Sequence, residues 1–94
     1  MKVGPAFGTS QKLPVVFYVY ALRSLSRNYI YVGLTDNLDR RIAQHNLGLN
    51  PTTKPYRPFE LIWSESFPTR SEARLREKYL KSGVGKTFLK SLLS

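Results

Sequence analysis

Four residues in the stretch TDNLDRRIAQHN carry an unusual combination. At helical spacing Leu38, Arg41, Ile42 and His45 share one face, because residues three and four apart lie on the same side of a helix. Two apolar anchors therefore aim a guanidinium and an imidazole toward the interior. A lone inward arginine is commonly one that snorkels, and a lone inward histidine one that is satisfied within the core. The pair at i and i+4 points instead to a site. Further along, Glu77 stands among Arg74, Lys78 and Lys81, at the seam between that basic arc and an apolar arc of Ala73, Leu75, Tyr79 and Leu80. Taken alone it reads as half of a surface ion pair with Lys81, worth about 0.3–0.5 kcal/mol. Alternation along two β-like segments puts Tyr18 and Tyr20 on one face of the first, and Tyr29, Tyr31 and Gly33 on one face of the second. A glycine inside a strand often marks the close approach of another backbone or a ligand.

The set Tyr20, Tyr31, Arg41, His45 and Glu77 supplies phenols that relay protons, a cation for phosphate oxygens, an imidazole and one carboxylate. Phosphodiester hydrolysis needs a base near the attacking water, positive charge on the phosphate and help for the leaving oxygen. One carboxylate plus waters suits Mg²⁺, which keeps much of its hydration shell. A two-metal design would require several clustered acids, which this chain does not supply.

The elements that must position these groups follow from pattern. Val15–Leu22 is rich in β-branched and aromatic residues, and Tyr29–Thr35 follows after a polar turn, so the two form a hairpin. A helix is expected over about Asn37–Leu47, capped by Asp36 or Thr35 and stopped at Gly48. A loop with three prolines leads to a third strand, Phe59–Phe67. Thr69–Glu72 is a capping box for a helix running to about Ser82. The glycines of Gly83–Gly85 are expected to break it before a last short helix, Lys86–Leu93. The fold class is α+β: a small three-stranded antiparallel or mixed sheet flanked by helices, in the order β-β-α-β-α-α. Residues 1–14, with two Gly and two Pro, read as a flexible N-terminal arm, and 15–94 as one domain.

Composition narrows the partner. The chain of 94 residues carries a net charge of +9 from 15 Lys and Arg against six acids, the electrostatic footprint of a nucleic-acid-binding protein. No cysteine is present, so disulfides and thiolate zinc sites are excluded, and a single histidine is too few for a histidine-based structural metal site. Neither a signal peptide nor a membrane-length apolar run is evident, so no membrane partner is expected, and a soluble, cytoplasmic, DNA-associated protein is.

The motifs, in order, resemble the GIY-YIG nuclease superfamily, and small stand-alone members of it in particular. Tyr18–Tyr20 (YVY) and Tyr31–Gly33 (YVG) are similar to its paired signature, LDRRIAQHN to its Arg-x-x-x-His helix and EARLREKYLKSG to its metal-binding glutamate helix, over about Phe17–Leu92. The resemblance implies metal-dependent endonuclease cleavage of DNA with Mg²⁺ or Mn²⁺. Carried over, Tyr20 is the general base or proton relay, its pKa lowered by Arg41 and the metal. Tyr31 orients the phosphate or water, Arg41 binds the scissile phosphate, and His45 joins the relay. Glu77 holds the ion that stabilises the leaving 3′ oxygen, and Gly33 permits close backbone approach.

Two departures stand out: Tyr18 replaces the first glycine of the signature, and no asparagine follows Glu77, Lys86 or Lys90 lying in that region instead. A separate DNA-binding domain, usual in the family, is not expected here. Affinity then falls to Arg23 and Arg27 in the hairpin, Lys54 and Arg57 in the Pro-rich loop, and Arg74, Lys78, Lys81, Lys86 and Lys90 toward the C-terminus. Such residues reach phosphates and do not read sequence, so a structure-selective or unspecific enzyme of DNA repair or recombination is expected. A non-catalytic nucleic-acid-binding module, and a catalytic subunit targeted by a partner protein, are the alternatives.

Overall fold

The computed structural model describes residues 14–93; the arm expected over 1–14 lies, except for Pro14, outside the described residues. Strands β1 (Phe17–Ser24) and β2 (Ile30–Thr35) form the hairpin and are followed by helix α1 (Leu38–Asn46). A short 3₁₀ turn (Lys54–Tyr56) then precedes strand β3 (Phe59–Phe67), and helices α2 (Arg70–Lys81) and α3 (Gly83–Ser91) complete the order. The sheet is antiparallel throughout, with spatial order β2-β1-β3.

The central strand explains the architecture. Val19, Tyr20, Ala21 and Leu22 are all fully buried, because helices cover both faces of the sheet. Val19 and Ala21 pack with Ala73, Leu80 and Leu89 on the α2–α3 side. Tyr20 and Leu22 pack with Phe59, Tyr31, Leu38 and Ile42 on the α1 side. A register shift opposite Ala21 and Leu22 leaves Ile62 as an extra residue in β3, so Ile62 and Trp63 both reach the α2–α3 core. Such a bulge breaks strict alternation locally.

Helix ends are set by side chains. Asn37 caps α1, its Oδ1 accepting from the Arg40 N–H at 3.1 Å. The cap is thus one or two residues beyond the expected Thr35 or Asp36. Thr35 Oγ1 instead accepts from the Asn37 N–H at 3.1 Å, closing the turn out of β2. Gly48, at φ +77°, follows the end of α1 as expected. Asn46, the last residue of α1, behaves like a strand partner: its amide oxygen accepts from the Phe59 N–H at 2.7 Å, and its amide nitrogen donates to the Phe59 carbonyl at 3.4 Å. This clamp ties α1 to the start of β3.

Thr69 caps α2 as expected, accepting from the Glu72 N–H at 3.2 Å. The α3 boundary differs. The Gly-Val-Gly expected to interrupt the chain is the first turn of α3, capped by Ser82 Oγ on the Gly85 N–H at 3.3 Å. A Cβ on Gly85 would lie 2.2 Å from the Tyr79 carbonyl and 2.4 Å from Leu80 Cα; the glycine is there so that α3 can fold directly against the end of α2. The apolar arc assigned to α2 is also corrected. Its buried face is Ala73, Glu77 and Leu80, while Leu75 is 71% and Tyr79 42% exposed. At 100° per residue Leu75 stands about 200° from Ala73, so the two cannot share a face.

Candidate active site

The site is built along β2, an edge strand. Tyr20 in β1 is paired directly with Gly33 in β2. A Cβ on Gly33 would meet the Tyr20 hydroxyl at 2.5 Å and the Tyr31 ring at 2.9 Å. The close approach expected at Gly33 is therefore made by the two tyrosine side chains. Beneath them lies His45, delivered from the last turn of α1. Its Nε2 is 2.9 Å from the Tyr20 hydroxyl, and its ring sits 4.8 Å from that of Tyr31, centroid to centroid. Tyr20 and His45 are both 0% exposed, whereas Tyr31 is half-buried and lines an open recess.

Burial decides the electrostatics. The Tyr20 phenol is pushed up from 10.0 to about 12, by desolvation first and then by the neighbouring Tyr31 phenol. The Arg41 guanidinium acts in the opposite direction and is outweighed. Arg41 thus lowers the Tyr20 pKa as expected, but the expected net lowering is corrected: a guanidinium favours the phenolate, and loss of water costs it more. His45 moves below its ordinary 6.5, again by desolvation first and by Arg41 second. At neutral pH the buried pair is therefore a neutral phenol against a neutral imidazole.

Arg41 acts on both Tyr20 and His45, so the guanidinium and imidazole of one helix face do serve one cluster. Its guanidinium donates to Gln44 Oε1 at 3.1 Å and opens into a recess of about 370 Å³ shared with Leu34, Thr35, Arg40 and Arg70. Arg70 is a residue that periodicity did not single out. It comes from the first turn of α2, on the opposite face of the sheet, and rests over the Phe17 ring at 4.8 Å.

Glu77 also comes from that opposite face. It is 8% exposed, with Lys81 Nζ 3.2 Å from one carboxylate oxygen and Arg74 Nη1 3.5 Å from the other. It does not touch Tyr20, Tyr31 or His45 through any described hydrogen bond. Its position follows from the helix: Arg70 lines a recess with Leu34 and Thr35 at one end of β2, and Lys81 lines one with Tyr31 and Val32 nearer the other. Glu77 lies between them at helical spacing from both, so the carboxylate and the phenols flank the same strand edge from opposite sides. Among the described residues no three acids or histidines cluster as a metal cage. The donor set fits one hydrated divalent ion held at a single carboxylate. Glu77 already attracts two cationic side chains, both well exposed and readily displaced.

The remaining basic candidates separate into groups. Lys81, Lys86 and Lys90 border two recesses beside Tyr29, Ile30 and Tyr31, and Lys78 is exposed on α2. Arg27, Lys54 and Arg57 are exposed at the hairpin and the Pro-rich loop, with Arg27 over the Tyr56 ring at 5.6 Å. Arg23 is not in the hairpin loop but in β1, bound to Glu60 at 2.6 Å, because that carboxylate lies opposite it in β3. No sequence pattern points to Thr53. It is 0% exposed, and its hydroxyl is 2.8 Å from His45 Nδ1.

An antiparallel three-stranded sheet that brings together one tyrosine from its central strand and one from an edge strand, with an Arg-x-x-x-His helix on one face and a buried glutamate on the other, defines a nuclease-type scaffold. The family model described as the GIY-YIG catalytic domain matches residues 16–89, and the chain belongs to that family. It is 41% identical over 66 residues to a UPF0213 protein of Staphylococcus haemolyticus, covering 69% of this chain and 79% of that one. A UPF0213 protein of Pediococcus pentosaceus is 36% identical over 84 residues, covering 86% and 87%. The solution NMR structure of a UPF0213 protein from Bacillus halodurans superposes with a TM-score of 0.50 at 35% identity, covering 82% of this chain and 84% of that one. No helix among the described residues is long and apolar enough to cross a membrane.

Proposed function

We propose that this protein is a divalent-metal-dependent endonuclease that hydrolyses DNA phosphodiester bonds, acting on DNA structure or without sequence preference, inside the cell in repair or recombination. The observation that carries the reading is the juxtaposition of Tyr31, Tyr20 and His45 with Arg41 at one strand edge, and Glu77 across it. Glu77 would hold Mg²⁺ or Mn²⁺, which when bound supplies positive charge to the leaving oxygen.

The burial of Tyr20 divides the work between the phenols. Tyr31 stands at the mouth, where it meets the attacking water, and Tyr20 stands behind it. As the water oxygen attacks phosphorus, its proton passes into the phenol pair and toward His45 Nε2, and the P–O3′ bond breaks, O3′ leaving as an alkoxide that takes a proton from solvent. A phenol near 12 is not ionised in advance, so proton movement accompanies attack. Arg41 gathers the non-bridging oxygens and offsets the charge that grows on them. Arg70 and Arg40 hold the flanking phosphate, and Lys81, Lys86 and Lys90 continue the cationic track. These contacts read backbone, which supports broad specificity.

The test is incubation with supercoiled plasmid and a panel of flaps, forks and junctions, with Mg²⁺, Mn²⁺ or EDTA, beside Arg41→Ala and Glu77→Gln. Cleavage that requires metal and is lost in both variants supports the proposal. DNA binding without cleavage under either metal overturns it, in favour of a binding module.

A further inference from the structure

Thr53 is the buried residue of an otherwise exposed loop; Thr52 and Lys54 on either side face solvent. The loop is tied down for it. Asn50 Oδ1 accepts from the Thr52 N–H at 2.9 Å, and the Asn50 carbonyl accepts from the Thr53 and Lys54 N–H groups at 3.2 and 2.9 Å. The Thr53 hydroxyl lies between that carbonyl, at 3.5 Å, and His45 Nδ1, at 2.8 Å.

The direction of the chain of hydrogen bonds follows from what each group can do. A carbonyl only accepts, and a threonine hydroxyl has one proton. When that proton turns to Asn50, Thr53 Oγ1 accepts from His45, which requires Nδ1–H and leaves a lone pair on Nε2. At the other end the buried Tyr20 O–H needs an acceptor. Arg41 can only donate; Nε2 stands 2.9 Å away, and the Tyr31 phenol is the other hydrogen-bonding neighbour. With the Thr53 proton on the Asn50 carbonyl and the Tyr20 proton on Nε2, both ends take the same tautomer. In the opposite arrangement Nε2–H would point at the phenol oxygen, and His45 could not take its proton.

We propose that Thr53 is a positioning residue that holds His45 in the Nδ1–H tautomer, so that Nε2 receives the Tyr20 proton. Its catalytic consequence rests on the nuclease reading above; the tautomer itself does not. The tautomer of an imidazole is set by the partner of its other nitrogen.

The chain has one histidine, so long-range ¹H–¹⁵N correlation spectra of the uniformly labelled protein at neutral pH report His45 alone. The expected result is a pyrrole-type Nδ1 and a pyridine-type Nε2 without DNA or metal. Thr53→Val, matched in shape but unable to accept, should move the population toward Nε2–H, and Thr53→Ser should restore it. In cleavage assays Thr53→Val should lower kcat by about 10- to 100-fold, within what general acid–base catalysis supplies, at unchanged KM. Thr53→Ser should recover most of it. A wild-type Nε2–H tautomer overturns the proposal, and remains decisive should Thr53→Val fail to fold. So does a folded Thr53→Val with an unaltered tautomer. The expected spectra with no cleavage of any DNA uphold the positioning role and reject the nuclease reading.

Discussion

Tyr20 and Gly33 face each other across the β1–β2 ladder, and the phenol lies over the strand because Gly33 has no side chain to lift it. Gly33→Ala places a methyl group 2.5 Å from the Tyr20 hydroxyl. Overpacking of this kind costs about 1–3 kcal/mol. The expected outcome is a lower urea midpoint with an unchanged m-value, and a disproportionate fall in kcat as the phenol leaves Nε2. Wild-type turnover in a destabilised Gly33→Ala protein would show that the placement of Tyr20 does not matter to the chemistry.

His45 should leave a signature in stability against pH. The unfolded imidazole takes its proton near 6.5, and the folded one at a lower value. Between the two the unfolded chain binds more protons, so stability rises with pH in that window. It should be fully present above about pH 6.5, fall as pH drops toward the depressed value and level off below it until carboxylates titrate. Denaturant titrations from pH 5 to 7.5 measure the slope. His45→Gln should flatten it.

Glu77→Gln separates catalysis from binding. The carboxylate is buried, but its partners Arg74 and Lys81 are exposed and can turn to solvent, so the isosteric amide should cost about 1–3 kcal/mol. Cleavage should fall at least about 100-fold, as loss of a metal ligand implies. DNA affinity measured by fluorescence anisotropy should hold or rise, because a negative charge has been removed from the cationic track. A parallel loss of affinity would assign Glu77 to binding instead.

Salt dependence tests the phosphate track. Affinity for a DNA duplex should fall linearly in log–log form with salt, and Arg70→Ala should reduce the slope by about one phosphate contact. Arg23→Ala should leave the slope unchanged, since Glu60 already holds that guanidinium. Equal effects from the two variants would argue against a directed track along β2.

Where local rules decide, the sequence is a sufficient guide. β3 spans Phe59–Phe67 as its composition implies, and the Thr69–Glu72 box starts α2. The 3.6-residue period correctly joins Arg41 and His45 on the Tyr20 side of the sheet. What depends on packing between elements is not legible in this way. Thr53 reaches His45 across a loop fold that no period encodes. Arg70 enters the Arg41 recess only because α2 runs beside β2. The depth of Tyr20 follows from helices covering both faces of β1, which turns the expected lowering of its pKa into a rise. Glu77 appears as a surface ion-pair residue by spacing, and the structure buries it while keeping both cations.

The candidate site coincides with an unpaired strand edge, since β2 bonds only to β1. Open edges invite addition of a strand from another molecule, and inward or flanking charges are a common protection. Here Arg40, Arg41 and Arg70 at one end and Lys81 and Lys86 at the other border that edge. A second copy of a chain carrying +9 is repelled from it, while a polyanion is drawn in. On the proposed function, the charges that would recruit DNA also act as gatekeepers against self-association, and neutralising them should cost solubility along with affinity.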